Sequence, residues 1–114
     1  MNIDRITGIA ENNGWTASIE DKTNSDITFV FSKMTPAGQD FSFSAAMEDN
    51  DYSNFIDNVE EYYQAYAPDY EASLWIGNDG HGKNGAPYHI KDLIEDMLTA
   101  EKMIWELLVS FKNI

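Results

Sequence analysis

Ten carboxylate side chains fall between Met34 and Gly82, a window that contains no lysine or arginine. They make up half of the 20 acidic residues of the chain, which has 7 basic residues and a formal net charge of -13. A field of this sign attracts cations and basic protein surfaces, and it repels nucleic acid and anionic membranes. We therefore expect a basic protein partner, contacted by nine of these acids: Asp40, Glu48, Asp49, Asp51, Asp57, Glu60, Glu61, Asp69 and Glu71.

The glycine-rich segment from Gly77 to Pro87 nearly matches a phosphate-binding loop. Gly77, Gly82 and Lys83 have the spacing of that motif, but Asn84 stands where a magnesium-binding serine or threonine is required. Pro87 also delays the next helix, whereas the motif needs a helix N-terminus beside the phosphates. We interpret the segment as a connecting loop.

The remaining polar residues predict neither a metal site nor a catalytic centre. His81 and His89 lie near Asp79 and Asp92 in the sequence, but zinc and harder metals need three or four converging ligands. Asp92 and Asp96 are one helical turn apart, at the predicted start of a helix, where carboxylates complement the helix dipole. We expect no metal, no cofactor and no enzymatic activity.

Tyrosine is concentrated near the acids. Rigid rings with a polar hydroxyl are frequent at protein interfaces, and the same rings also serve as core residues with the hydroxyl at the rim. Both interpretations remain open for the six tyrosines, which are Tyr52, Tyr62, Tyr63, Tyr66, Tyr70 and Tyr88.

Length and composition indicate one domain, spanning residues 1–114. Hydrophobic residues make up 43% of the chain and aromatic residues 13%, which is enough for a core and excludes a disordered acidic tail. The absence of cysteine excludes disulfides and thiolate chemistry. Neither a secretory signal nor an apolar run long enough for a membrane span is visible, so we expect a cytoplasmic protein.

The first half of the chain changes from helical to strand periodicity. Apolar residues at helical spacing predict a short first helix, which ends at the Asn12-Asn13-Gly14 stop signal. Three alternating runs then follow around Trp15–Glu20, Ile27–Ser32 and Phe41–Met47, separated by short polar turns. This pattern predicts a three-stranded antiparallel meander with one apolar face.

Helical periodicity returns after Asn50. Asp51 or Ser53 is the predicted cap of a helix that Pro68 ends. Residues 69–76 fit either a strand or a helix, and we favour a helix. The inner stripe of the capped helix is expected to contain Phe55, Ile56, Val59, Tyr62 or Tyr63, and Tyr66.

The last helix is predicted to be long and to have a wide apolar face. Its main stripe consists of Ile90, Leu93, Met97, Ala100, Ile104, Leu107 and Phe111, and a second stripe consists of Ile94, Leu98, Trp105 and Leu108. We expect the main stripe to pack on the sheet. A contact of Trp105 and Leu108 with a partner, or with a second copy in a homodimer, is the alternative use of the second stripe. The predicted fold is α+β, with two or three helices packed on the sheet.

Scattered residues of the N-terminal part carry a resemblance, from Met1-Asn2-Ile3 through Asn12 and Trp15-Thr16, and on to Ile27-Thr28, Gly38 and Ser44. In these residues the chain resembles the small phage-borne type II-A anti-CRISPR proteins that inhibit Cas9. That family has a helix, a three-stranded antiparallel sheet and two further helices. Its members place carboxylates where the phosphates of DNA would bind. The resemblance implies a phage or mobile-element origin and a target inside the bacterial host.

Two functional hypotheses follow. In the first, the chain is an acidic, nucleic-acid-mimicking inhibitor that fills the basic groove of a DNA-binding protein such as a CRISPR nuclease, without binding nucleic acid itself. In the second, it is a non-catalytic interaction domain of a mobile element that binds through its apolar C-terminal helix and is acidic only for solubility.

Overall fold

A computed structural model of the protein describes residues 3–74 and 90–113, apart from the side chains of residues 90 and 91. The fold is α+β, as the sequence predicts: a helix, a three-stranded sheet and three further helices. The elements are α1 (Ile3–Asn12), β1 (Thr16–Lys22), β2 (Ile27–Met34), β3 (Asp40–Met47), α2 (Tyr52–Ala65), α3 (Pro68–Leu74) and α4 (Ile90–Lys112).

The sheet is an antiparallel meander in the order β1-β2-β3. Phe31 of β2 pairs with Ala17 on one side and with Phe43 on the other. Alternate residues of β2 and β3 are buried, which confirms the predicted period of two. The alternation ends early on β1, where Ile19 is 41% exposed, on an edge strand and beside a register shift between Ile19 and Asp21.

The core lies between the apolar face of the sheet and the helices. Its centre is an aromatic cluster in which the ring centroid of Phe31 lies 5.4 Å from that of Phe43 and 5.8 Å from that of Phe111. Phe55 of α2 lies 5.0 Å from Phe111. Burial of each such side chain stabilises the fold by roughly 2–3 kcal/mol, so this cluster fixes α2 and α4 on the sheet.

The boundaries of α2 and α3 follow from cap chemistry. Asp51 is the N-cap of α2, because its carboxylate accepts a hydrogen bond from the backbone N–H of Ser53 at 2.9 Å. The helix ends at Ala65, and Tyr66 has an extended backbone. Pro68 begins α3, since proline suits the first turn of a helix. The predicted helix after residue 68 is confirmed as far as Leu74; Trp75 and Ile76 lie outside the described residues.

Helix α4 buries its main stripe, in which Leu93, Met97, Ile104, Leu107 and Phe111 have no exposed surface. Leu108 is also fully buried, so the alternative that Leu108 contacts a partner is wrong. The residue falls within the wide apolar face that packs on the rest of the core. In the second stripe, Leu98 and Trp105 remain about half exposed, at 49% and 46%.

Tyrosine hydroxyls connect α2 to α4 at two points. Tyr52 donates to the carbonyl oxygen of Phe111 at 2.6 Å, and Tyr66 donates to that of Met97 at 3.0 Å. Because these carbonyls are 14 residues apart, the two bonds hold a length of about 21 Å of α4 against α2 and the turn after it.

Candidate partner-binding surface

Two turns meet at one end of the sheet and bring carboxylates together there. The backbone N–H of Asp49 donates to Oδ1 of Asp26 at 3.0 Å, and that of Asn50 donates to the carbonyl oxygen of Ser25 at 2.9 Å. Asp49 and Asn50 both have left-handed backbone angles, φ 56° and 54°, which aspartate and asparagine tolerate better than most residues. The turn after β3 is thereby fixed against the turn between β1 and β2.

We call this cluster the acidic end; it consists of Asp26, Glu48, Asp49 and Asp51. The last three, all exposed, were predicted from the sequence. Asp26 was missed because it lies outside the lysine-free window. Its place follows from topology, since in an antiparallel meander the turn before β2 lies at the same end as the last residue of β3. Lys22, at the end of β1, is the basic residue nearest to this turn in the sequence.

Helix α2 continues the acidic surface away from the acidic end. Asp57 and Glu61 are both exposed on its outer side, and at a spacing of four residues their side chains are neighbours about 6 Å apart. Together with the acidic end they form what we call the acidic ridge. Along α2 the ridge runs from the Asp51 cap to Glu61, ten residues that span about 15 Å.

Two asparagines fix α2 along the edge of the sheet. Nδ2 of Asn58 donates to the carbonyl oxygen of Ala46 at 2.8 Å, and Oδ1 of Asn54 accepts from the backbone N–H of Glu48 at 2.8 Å. These bonds satisfy backbone groups at the open edge of β3, which would otherwise be free to pair with another chain. They also hold the acidic ridge in one orientation relative to the sheet.

Basic residues lie on the side of α2 that faces α4. Glu60 forms a salt bridge with Lys112, with 3.1 Å between the Nζ and Oε2 atoms. A groove of about 570 Å³ runs beside this pair and is lined by Arg5, Tyr52, Ser53, Ile56, Asp57, Phe111 and Lys112. Glu60 is therefore partly neutralised, and the ridge excludes it. Asp57 belongs to the ridge and also lines this groove.

Three of the predicted acids lie away from the ridge. Asp40 begins β3, whereas Glu48 follows its last residue, so the two are separated by about 26 Å along the strand. Asp69 and Glu71 belong to α3. Glu71 is half-buried near Tyr62 and Tyr66, and desolvation by burial raises the pKa of its carboxyl group.

The tyrosines are used mainly inside the fold. Tyr62 stacks on Phe43 with ring centroids 4.6 Å apart, and Tyr66 is 8% exposed. Burial raises the pKa of Tyr52 to about 12 and also raises the pKa values of Tyr62 and Tyr66. Tyr70 is the exposed exception among the described tyrosines, at 64%.

At the opposite end of the sheet, a buried carboxylate stabilises the turn between β2 and β3. Asp96 of α4 accepts hydrogen bonds from the hydroxyl of Thr35 at 2.5 Å and from the backbone N–H of Ala37 at 3.2 Å. Gly38 completes this turn with a φ of 91°, which favours glycine. The sequence interpretation of Asp96 as a residue that complements the helix dipole did not include this tertiary role.

Several predicted features fall outside the described residues: Asp79, the Gly77–Pro87 segment, His81, His89 and Tyr88. Over residues 3–74 and 90–113 the structure groups no three histidine, aspartate or glutamate side chains in a way that could hold a metal ion. Within the same residues, no helix combines the length and the apolarity that crossing a membrane requires.

Comparison with known proteins assigns no family to this chain. No family model matches the chain, and no similar protein was found among the curated proteins or among the solved structures.

Proposed function

We propose that the protein is a non-catalytic inhibitor that docks its acidic ridge into the basic groove of a DNA-binding enzyme. In this proposal the carboxylates stand where the phosphates of a nucleic acid would lie. The observation that supports it is the acidic ridge itself: exposed carboxylates lie at Asp26 and in the turn after β3, and they continue along the outer side of α2.

The spacing and rigidity of the ridge support this proposal. Carboxylates one helical turn apart approximate the distance between neighbouring phosphates, roughly 6–7 Å along a strand. Asp49 and Asp51 are held by backbone hydrogen bonds, and Asn54 and Asn58 fix α2 to β3. A pre-formed charged surface loses little entropy when it binds.

The resemblance in the N-terminal half makes a CRISPR nuclease one candidate target. The family that the N-terminal part resembles carries acidic and amide residues in the turn between its second and third strands. In this chain the corresponding turn, between β2 and β3, is Thr35-Pro36-Ala37-Gly38, which carries no charge and is held by Asp96. The surface that we propose for binding is therefore the opposite end of the sheet and α2.

A competition experiment tests the proposal directly. A guide-loaded CRISPR nuclease is mixed with a labelled target duplex, and the protein is titrated in while fluorescence anisotropy reports the bound duplex. We expect displacement of the duplex that weakens steeply as salt is added, because complementary charges are screened. A pull-down from bacterial lysate at low salt extends the test to other DNA-binding enzymes.

Two variants with equal net charge test whether binding depends on the ridge or only on the total charge of the chain. The ridge variant combines Asp49→Asn, Asp51→Asn, Asp57→Asn and Glu61→Gln, which retain the left-handed turn and the N-cap. The control variant combines Asp4→Asn, Glu11→Gln, Asp92→Asn and Glu95→Gln, four exposed acids on α1 and α4. We expect the ridge variant to lose at least tenfold in affinity and the control to lose less than threefold.

The proposal fails if neither the nuclease nor any DNA-binding protein is bound at low salt. Equal losses in the two variants would also contradict it, because total charge rather than the ridge would then decide binding.

A further inference from the structure

Helix α4 carries an exposed stripe outside its buried face. Leu98, Lys102, Trp105 and Val109 follow one another at spacings of four, three and four residues, which places them on one side of a helix. Leu98 is 49% exposed and Trp105 is 46% exposed. We call these four residues the α4 stripe; it is distinct from the acidic ridge.

The large aromatic side chain of the α4 stripe is held in place. The ring of Trp105 lies 5.4 Å from that of Tyr63 on α2, with an angle of 40° between the ring planes. A tryptophan that is oriented in advance and half exposed is typical of the residues that dominate protein interfaces.

The charges beside the α4 stripe are self-complementary. Lys102 and Glu106 are both exposed and four residues apart, so they flank Trp105 on the same side of the helix. In an antiparallel pair of helices with its two-fold axis beside residue 104, residue 102 of one helix lies level with residue 106 of the other. Lys102 then faces the partner's Glu106, and Leu98 lies within one residue of the level of the partner's Val109.

We propose that the α4 stripe is a homodimer interface, occupied by a second copy of this chain. In the dimer, the Trp105 rings of the two subunits meet beside the two-fold axis. Leu98 packs against Val109 of the partner subunit at both ends, and two Lys102–Glu106 pairs form between subunits. A two-fold interface must be complementary to itself, and the order of apolar and charged residues along α4 meets that condition.

The dimer is weak and its salt dependence is diagnostic. A single helix pair buries less than the roughly 1,200 Å² at the lower end of specific, stable interfaces, so we expect a dimer that forms only at high protein concentration. Each subunit has a formal net charge of -13, and the repulsion between two such subunits is relieved by screening. Added salt therefore strengthens the dimer, whereas it weakens docking of the acidic ridge on a basic groove, so the two proposals fail independently.

Sedimentation velocity of the full chain, over a range of concentrations up to about 1 mM and of NaCl up to about 0.5 M, tests the interface. We expect Leu98→Gln to weaken dimerisation about tenfold. Met34→Gln, which changes a side chain that is 58% exposed at the end of β2, is the control and leaves dimerisation unchanged.

Charge exchange tests the register of the pair without changing its apolar residues. Lys102→Glu and Glu106→Lys each place like charges opposite one another, so we expect each to weaken the dimer several-fold. The double variant exchanges the charges and restores dimerisation to within about threefold. Circular dichroism confirms that each variant is folded.

A parent chain that stays monomeric at every concentration and salt overturns the proposal. A dimer that Leu98→Gln does not weaken, or one that the double charge exchange does not restore, overturns it as well.

Discussion

Individual carboxylates of this chain have different roles, even though the sequence presents them as one set. Asp49 and Asp51 fix turns and also remain exposed, whereas Glu60 is paired with Lys112. Glu71 is half-buried, and burial raises the pKa of its carboxyl group. Net charge therefore overstates the number of acids available to a partner.

The raised pKa of Glu71 leads to a prediction about how the stability of the fold depends on pH. The raised pKa means that the folded state binds the proton of this carboxyl more tightly than the unfolded state does. The resulting stabilisation is fully present below the ordinary value of 4.5 and is lost as the pH rises through the raised pKa. At pH 7 the ionised side chain destabilises the fold, and we expect Glu71→Gln to raise the free energy of unfolding by roughly half a kcal/mol, since solvent screens a side chain this exposed.

The measurement is the melting temperature of the parent chain and of the Glu71→Gln variant between about pH 4 and pH 8. Glu61→Gln serves as the control, because it removes the same charge at an exposed position on α2. We expect the advantage of Glu71→Gln over this control to vanish at about pH 4. An advantage that is independent of pH would contradict the role assigned to burial.

At the scale of elements, a few polar contacts decide how the helices sit on the sheet. Asn58 and Asn54 attach α2 to the edge of β3, and the hydroxyls of Tyr52 and Tyr66 bond to carbonyls of α4. Asp96 joins α4 to the turn between β2 and β3. These bonds fix the orientation of the helices on the sheet, whereas apolar packing stabilises the core.

The Asp96 contact predicts a large effect of a small substitution. In Asp96→Asn an NH₂ group replaces one carboxylate oxygen, so the side chain can no longer accept from both Thr35 and Ala37. We expect a loss of about 2–3 kcal/mol in the free energy of unfolding, because a buried donor is left unsatisfied. Urea denaturation measures this loss.

Asp92→Asn is the matched control, one helical turn earlier on α4 and exposed. We expect it to change the free energy of unfolding by no more than about 0.5 kcal/mol. Similar losses in the two variants would show that the hydrogen bonds of Asp96 contribute nothing beyond its charge.

At the scale of the whole molecule, the charge is unevenly distributed. The acidic ridge gathers carboxylates from two turns and α2, while Arg5 and Lys112 line a groove on the side of α2 that faces α4. The excess of negative charge opposes folding through self-repulsion. It also favours association with a basic surface over association with another acidic one.

This excess predicts that salt stabilises the fold. Screening reduces the repulsion within a chain of net charge -13, so we expect the melting temperature to rise by roughly 4–8 °C between low salt and about 0.5 M NaCl, which corresponds to about 1 kcal/mol. Calorimetry at pH 7 measures the rise. Choline chloride should have the same effect if screening is the cause, and a rise that only sodium produces would contradict it.

The fold could be predicted from the sequence to a large extent because its signals are local. Period two in Ile27–Met34 and Asp40–Met47, the Asp51 cap and the stripe on α4 each reflect the geometry of one element. The candidate site could be predicted only in part. Asp26 was missed and Asp40 lies at the far end of β3, because position along the chain gives charge density but not which turns meet.

The sequence by itself determined the type and order of the elements, the apolar faces and the excess of acid. The tertiary structure alone decided that Asp26 joins Asp49, that Asp96 is buried against Thr35, and that Leu108 lies inside while Trp105 lies half outside. The physical reason is that a helix or strand is specified by neighbours a few residues away. A surface, by contrast, is specified by contacts between distant segments, which form only when the apolar faces pack together.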